Sequence, residues 1–172
     1  MFKEGVKLLG HAVHPMLVVF PLGLLATSVI FDVLHLASGN GYWSAIAYWM
    51  IAAGVIGGLF AAAAGLIDWL ALPGGTRAKS VGMWHGIGNA TVLVLFLASW
   101  LLRRGDPSAP SAGALAISLV GVGVAAVSGW LGGELVSRLG VSVDPGANAN
   151  APSSLATKQA QAPGGSRRRA AT

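Results

Sequence analysis

Cysteine is absent from the chain, which removes iron–sulfur ligation, covalently attached c-type haem and disulfide bridges within it. Charge is the second shortage. Only 10% of the 172 residues are charged, while 54% are hydrophobic and the mean hydropathy is +0.68. An ordinary soluble domain is about one quarter charged. Catalytic signatures are missing too: no nucleophile–base triad, phosphate-cradling loop or zinc-protease motif is visible. Nothing therefore marks the chain as an enzyme on its own. The net charge of +5 and pI near 10.3 do not indicate nucleic acid, because the basic residues lie at the ends of apolar runs and in the C-terminal tail.

What the sequence does have is four long stretches almost free of charge. They run from Met16 past Asp32 to Leu36, from Trp43 past Asp68 to Leu72, from Ser80 to Leu102, and from Pro107 to Gly133. A bilayer core is crossed by about 20 residues of helix, and a helix satisfies its own backbone groups in lipid. A soluble bundle would need polar outer faces, and these segments have none. The expected fold is an all-α, four-helix transmembrane bundle with antiparallel neighbours. Its helices are expected at about 14–37, 43–72, 80–103 and 111–137, within a membrane domain of 14–140. Residues 1–13 read as a short interfacial segment. Lys3 and Lys7 before the first apolar run resemble a signal peptide, but the run is too long and no A-x-A site ends it, so it reads as an uncleaved anchor.

Short Gly- and Pro-containing links, Ser38–Gly41 and Pro73–Gly75, make sequential helices neighbours. From 141 to 172 the composition turns to Ala, Pro, Ser, Asn and Gln, ending in Arg167, Arg168 and Arg169, the signature of a disordered tail. No internal repeat is evident. Four crossings place both termini on one side with Lys3, Lys7, Arg77, Lys79 and Arg138, against Arg103 and Arg104 on the other. That bias favours cytoplasmic termini in a bacterial inner membrane. The bilayer is the one partner the sequence requires; a homo-oligomer or a separate redox protein are further candidates.

Helical spacing then assigns faces. His14, Val18, Pro21, Leu25, Ser28, Asp32 and His35 form one stripe that carries nearly all the polar groups of the first helix, so it should face protein. Pro21 should kink or loosen that helix. Gly54, Gly57, Ala61, Gly65 and Asp68 share a face of the second helix. Gly121, Ala125, Gly129 and Gly133 are spaced by four on the last. Both patterns suit close helix packing in lipid.

His14, Asp68, His85 and Glu134 fall near one end of each helix, with Asn89 one turn from His85. In an antiparallel bundle all four ends meet at the inner leaflet. Ionisable groups at membrane depth must pair or hold something. Three readings follow. His14 and His85 are axial ligands of a haem b, with Asp68 or Asn89 orienting an imidazole. Alternatively His14, Asp68, His85 and Glu134 bind a metal or relay protons. The third reading is a polar clamp that only locks helix ends, in a structural membrane scaffold for partner subunits. At the outer leaflet, Asp32 and His35 read as a local pair.

Several runs resemble the bacterial family named domain of unknown function 2231. They are His14–Gly23 with Asp32 after it, Gly65–Asp68, Trp84-His85 with Asn89, Gly129–Val136, and Gly140–Asp144. The resemblance covers about residues 10–145. It implies a four-helix membrane domain of unassigned activity. Some members are joined or adjacent to Rieske or cytochrome modules, which implies a redox setting. Without cysteine, this chain carries no Rieske centre of its own.

Overall fold

A computed structural model describes residues 5–156. Four helices dominate it: α1 (Val13–Ser38), α2 (Gly41–Ala71), α3 (Arg77–Leu102) and α4 (Ala112–Ser137). All four are long and apolar enough to cross a membrane. At a rise of about 1.5 Å per residue, even the shorter helices exceed a hydrocarbon core of about 30 Å. Large apolar side chains cover the outside, among them Phe20, Leu59, Phe60, Val94 and Val127. In water such a surface would aggregate; in lipid it is solvated. The protein is a multi-pass membrane protein.

Chain punctuation accounts for the helix ends. Gly39, at φ 66°, closes α1 in the left-handed region. Asn40, Thr76 and Ser111 cap α2, α3 and α4, each accepting a backbone N–H two or three residues on. The start of α1 has no side-chain cap. A small antiparallel hairpin, β1 (Lys7–Leu8) with β2 (His11–Ala12), does that work instead: the Val13 N–H donates to the Val6 carbonyl at 2.9 Å. Leu9 and Gly10 turn the hairpin with φ of 50° and 85°. Sequence patterning gave this segment only as interfacial. Of the expected tail, residues 141–156 form turns without helix or strand, and the remainder, with Arg167–Arg169, lies outside the described residues, as does Lys3.

Two hairpins make the bundle. α1 packs chiefly on α2, and α3 chiefly on α4. Leu25, Val29, Ile51, Val55, Val92 and Phe96 form the apolar centre where they meet. The polar stripe of α1 does face inward: Pro21, Leu25, Ser28 and Asp32 are buried, and His14, Val18 and His35 half-buried. Pro21 does not interrupt α1, which is continuous from Val13 to Ser38. Its ring lies against Gly57 of α2, where a Cβ would be 3.5 Å from Pro21 Cδ.

The α4 stripe turns out to be two faces. Gly121 packs beneath Phe96, where a Cβ would lie 2.8 Å from the ring, whereas Gly129 and Gly133 look into open space. A four-residue step overshoots one turn of 3.6 residues by about 40°. Residues spaced by four therefore drift off the interface, and Ser128 and Gly132 replace them there.

Candidate functional site: a histidine pair between two hairpins

His14 stands in the first turn of α1, and His85 in the third turn of α3. Each ring is fixed by the second helix of its own hairpin. His14 Nδ1 lies 2.8 Å from the Ala61 carbonyl oxygen of α2, and His85 Nδ1 lies 2.8 Å from the Ser128 carbonyl oxygen of α4. A carbonyl only accepts, so both Nδ1 atoms carry the proton and donate. Nε2 of each ring is then the nitrogen left to accept. Glycine makes the seats. A Cβ at Gly65 would lie 2.9 Å from the His14 ring, and one at Gly132 would lie 3.0 Å from the His85 ring. A side chain at Gly65 would force the His14 ring to shift, and one at Gly132 would crowd the His85 ring.

The two rings meet across the bundle with centres 6.2 Å apart and planes at 85°. Asn89 Nδ2 donates to His85 Nε2 at 3.0 Å, and Ser128 Oγ donates to Asn89 Oδ1 at 3.0 Å. His85 thus uses both nitrogens, whereas no hydrogen bond to His14 Nε2 is present among the described residues.

The structure does not bring Asp68 and Glu134 to this pair. Asp68 Oδ1 accepts the Val6 N–H at 2.8 Å and ties the β-hairpin to the end of α2. Glu134 pairs with Arg77 at 2.6 Å. Both carboxylates lie near helix ends, where local partners are in reach and a longer inward reach gains nothing. Among the described residues no group of three or more His, Asp or Glu side chains could hold a metal ion. The four-residue metal layer expected from the sequence is therefore corrected to two histidines with Asn89.

At the other end of the bundle the expected Asp32–His35 pair is also corrected. His35 Nδ1 lies 3.1 Å from the Asn40 carbonyl oxygen in the α1–α2 turn. Asp32 turns inward to Arg103, which sequence reading had treated only as a topology signal. The guanidinium donates to both carboxylate oxygens, at 2.6 and 2.7 Å. Arg103 is fully buried and Asp32 is 3% exposed. Arg103 Nε also donates to Ser99 Oγ at 3.2 Å, and Arg103 NH2 to Ser118 Oγ at 3.1 Å. A buried ion pair survives only when such bonds satisfy its remaining donors. Sequence gives one clue: Asp32 lies on the inward stripe, so its partner had to come from another helix.

The family pattern described as a predicted membrane protein, DUF2231, matches residues 10–145. The chain belongs to the DUF2231 family. The match spans the β2 strand, all four helices and the turns after α4, so the histidine pair and the Asp32–Arg103 pair both lie within the DUF2231 domain. The chain matches no curated protein and no solved structure.

Proposed function

We propose that this DUF2231 protein is a membrane redox subunit that holds one haem b between His14 and His85. The observation that supports the reading is the pair of imidazoles, each anchored through Nδ1 to a main-chain carbonyl, with ring centres 6.2 Å apart. Ligating histidines are oriented through the other ring nitrogen in this way. His14 and His85 would hold the group through their Nε2 atoms, which requires Asn89 to turn away from His85 Nε2. A bound haem b would supply one-electron transfer, and the protein would set its ligands and surroundings. These residues include no cysteine for an iron–sulfur centre, so the electron would be exchanged with another redox carrier.

The proposed orientation puts the histidine end and both termini in the cytoplasm, in an inner membrane. The neutralisation of Arg103 by Asp32 supports it. Arg104 is then the one exposed cation at the opposite end of the helices among the described residues, against Lys79 and Arg138 at the histidine end, where Arg77 is paired with Glu134.

A second reading, a polar clamp that merely locks the hairpins, is favoured by the Asn89–His85 bond, which occupies the nitrogen a metal would need. Reconstitution separates the two. Purified protein titrated with haem should develop a Soret band saturating at one haem per chain, and His14→Ala or His85→Ala should abolish it. A wild-type protein that stays without a Soret band in both oxidised and reduced states would leave the clamp.

A further inference from the structure

A repeat hidden in residue identities is visible in the contacts. The inward stripe of α1 is His14, Val18, Pro21, Leu25, Ser28 and Asp32. The positions 71 further on are His85, Asn89, Val92, Phe96, Ser99 and Arg103. Each stripe begins with a histidine whose Nδ1 meets a carbonyl of the second helix in its own hairpin. Each carries a buried serine one turn before its last member, and each ends on a buried charge. The second helices correspond as well, 67 positions apart. Ala61 and Ser128 supply the two carbonyls, and Gly65 and Gly132 seat the two rings. Gly54 lies against Leu25, and Gly121 against Phe96, the equivalent residue of α3. α1 and α3 run in the same direction, so a rotation about the long axis of the bundle relates the hairpins. His14 meets His85 across that axis, and Asp32 meets Arg103.

We infer that the domain is a twofold repeat of one helical hairpin, and that Asp32 and Arg103 are the key by which each hairpin takes the other, rather than its own copy, as partner. Positions that lie next to a twofold axis meet their own equivalents across it, as His14 meets His85 and Asp32 meets Arg103. A hairpin paired with its own copy would set Asp32 against Asp32, or Arg103 against Arg103, in a fully buried place. Like charges there repel with little screening. The mixed pair alone neutralises both. The other members of the stripes are apolar, hydroxyl, amide or imidazole groups, which tolerate a self-pair. Discrimination therefore falls on one position, as an attractive element for the right partner and a repulsive one for the wrong. This inference does not depend on haem.

The test uses full-length chains and a reversal of the key. Asp32→Arg alone and Arg103→Asp alone should each lower the yield of monodisperse protein in detergent by about tenfold or more. Asp32→Arg with Arg103→Asp in one chain should recover most of it. Recovery stays incomplete for a stated reason: Ser28 stands where Ser99 does, but Ile51 stands where Ser118 does, so one hydrogen bond to the guanidinium is missing. The decisive arm co-expresses the two single variants with different tags. Each chain then offers the hairpin the other lacks, and the turn at 72–76 can open to exchange them. The two should co-purify, while neither does so with a second copy of itself. Single variants as monodisperse as the wild type would overturn the inference, as would a double reversal without recovery. Absence of co-purification between the complementary variants would also overturn it.

Discussion

The two ends of this bundle hold polar groups in opposite ways. At the arginine end, the guanidinium and carboxylate use their strongest geometry on each other, two serines take further donors, and water is excluded. At the histidine end the rings are half-buried, each has one nitrogen tied to the backbone, and one of the remaining nitrogens is held only by an amide side chain. The ion pair fixes structure; the end where His14 Nε2 has no hydrogen bond among the described residues, with both rings held by glycine seats and backbone bonds, is the one proposed to take a ligand. Same helices, same symmetry, different chemical readiness.

The comparison can be broken first where the effect is largest. Arg103→Ala leaves the Asp32 carboxylate buried and unpaired, and should cost about 3–5 kcal/mol. A detergent-solubilised melting curve would read this as a large fall in Tm or as loss of monodisperse protein. Replacing both partners by leucine should cost far less, since no orphan charge remains. Next comes packing along α4. Gly121→Ala drives a methyl group into Phe96 and should destabilise by about 1–3 kcal/mol. Gly129→Ala, facing open space, should be neutral or slightly stabilising by the same melting curve. At the histidine end, His14→Ala removes one neutral hydrogen bond and should cost only about 0.5–1.5 kcal/mol, with the β-hairpin and its Asp68 bond intact. A collapse in Tm comparable to that of Arg103→Ala would erase the distinction between the ends.

The smallest effect lies in the α3–α4 loop. Ser108 Oγ and then its N–H donate to the Asp106 carboxylate at 2.6 and 2.9 Å, holding that carboxyl below its usual range. The folded value is lowered, so the stabilisation is present at neutral pH and disappears as pH falls through the lowered value. Asp106→Asn should therefore slightly flatten the acid side of the Tm–pH profile and leave both polar layers untouched.

Much of this was legible in the sequence. Charge-free length fixed the four helices, and the spacing of His14, Ser28 and Asp32 fixed the inward face of α1. His14 and His85 stand out because ionisable groups at membrane depth are rare, and Asn89 because it lies one turn from His85 on the same face. The rest was obscured for physical reasons. Arg103 sits beside Arg104 at a helix end, where cations normally mark topology, so its inward turn had no local signal. Asp68 and Glu134 fell at the right depth, but depth does not reveal that Val6 and Arg77 are closer partners. The glycines at 121, 129 and 133 look like one stripe until the helical drift is counted. The repeat lay in which residue touches which, and its equivalent positions carry Pro against Val, Leu against Phe and Asp against Arg.

The division of labour between the two ends is tested most directly by recording haem Soret absorbance and Tm on the same purified samples. These would be wild type, His14→Ala, His85→Ala and the Asp32→Leu, Arg103→Leu double variant. The account predicts that the histidine variants lose the Soret band and keep their Tm within about 6 °C, while the double leucine variant keeps the band. A wild type that binds no haem, together with histidine variants that unfold as readily as Arg103→Ala, would contradict it.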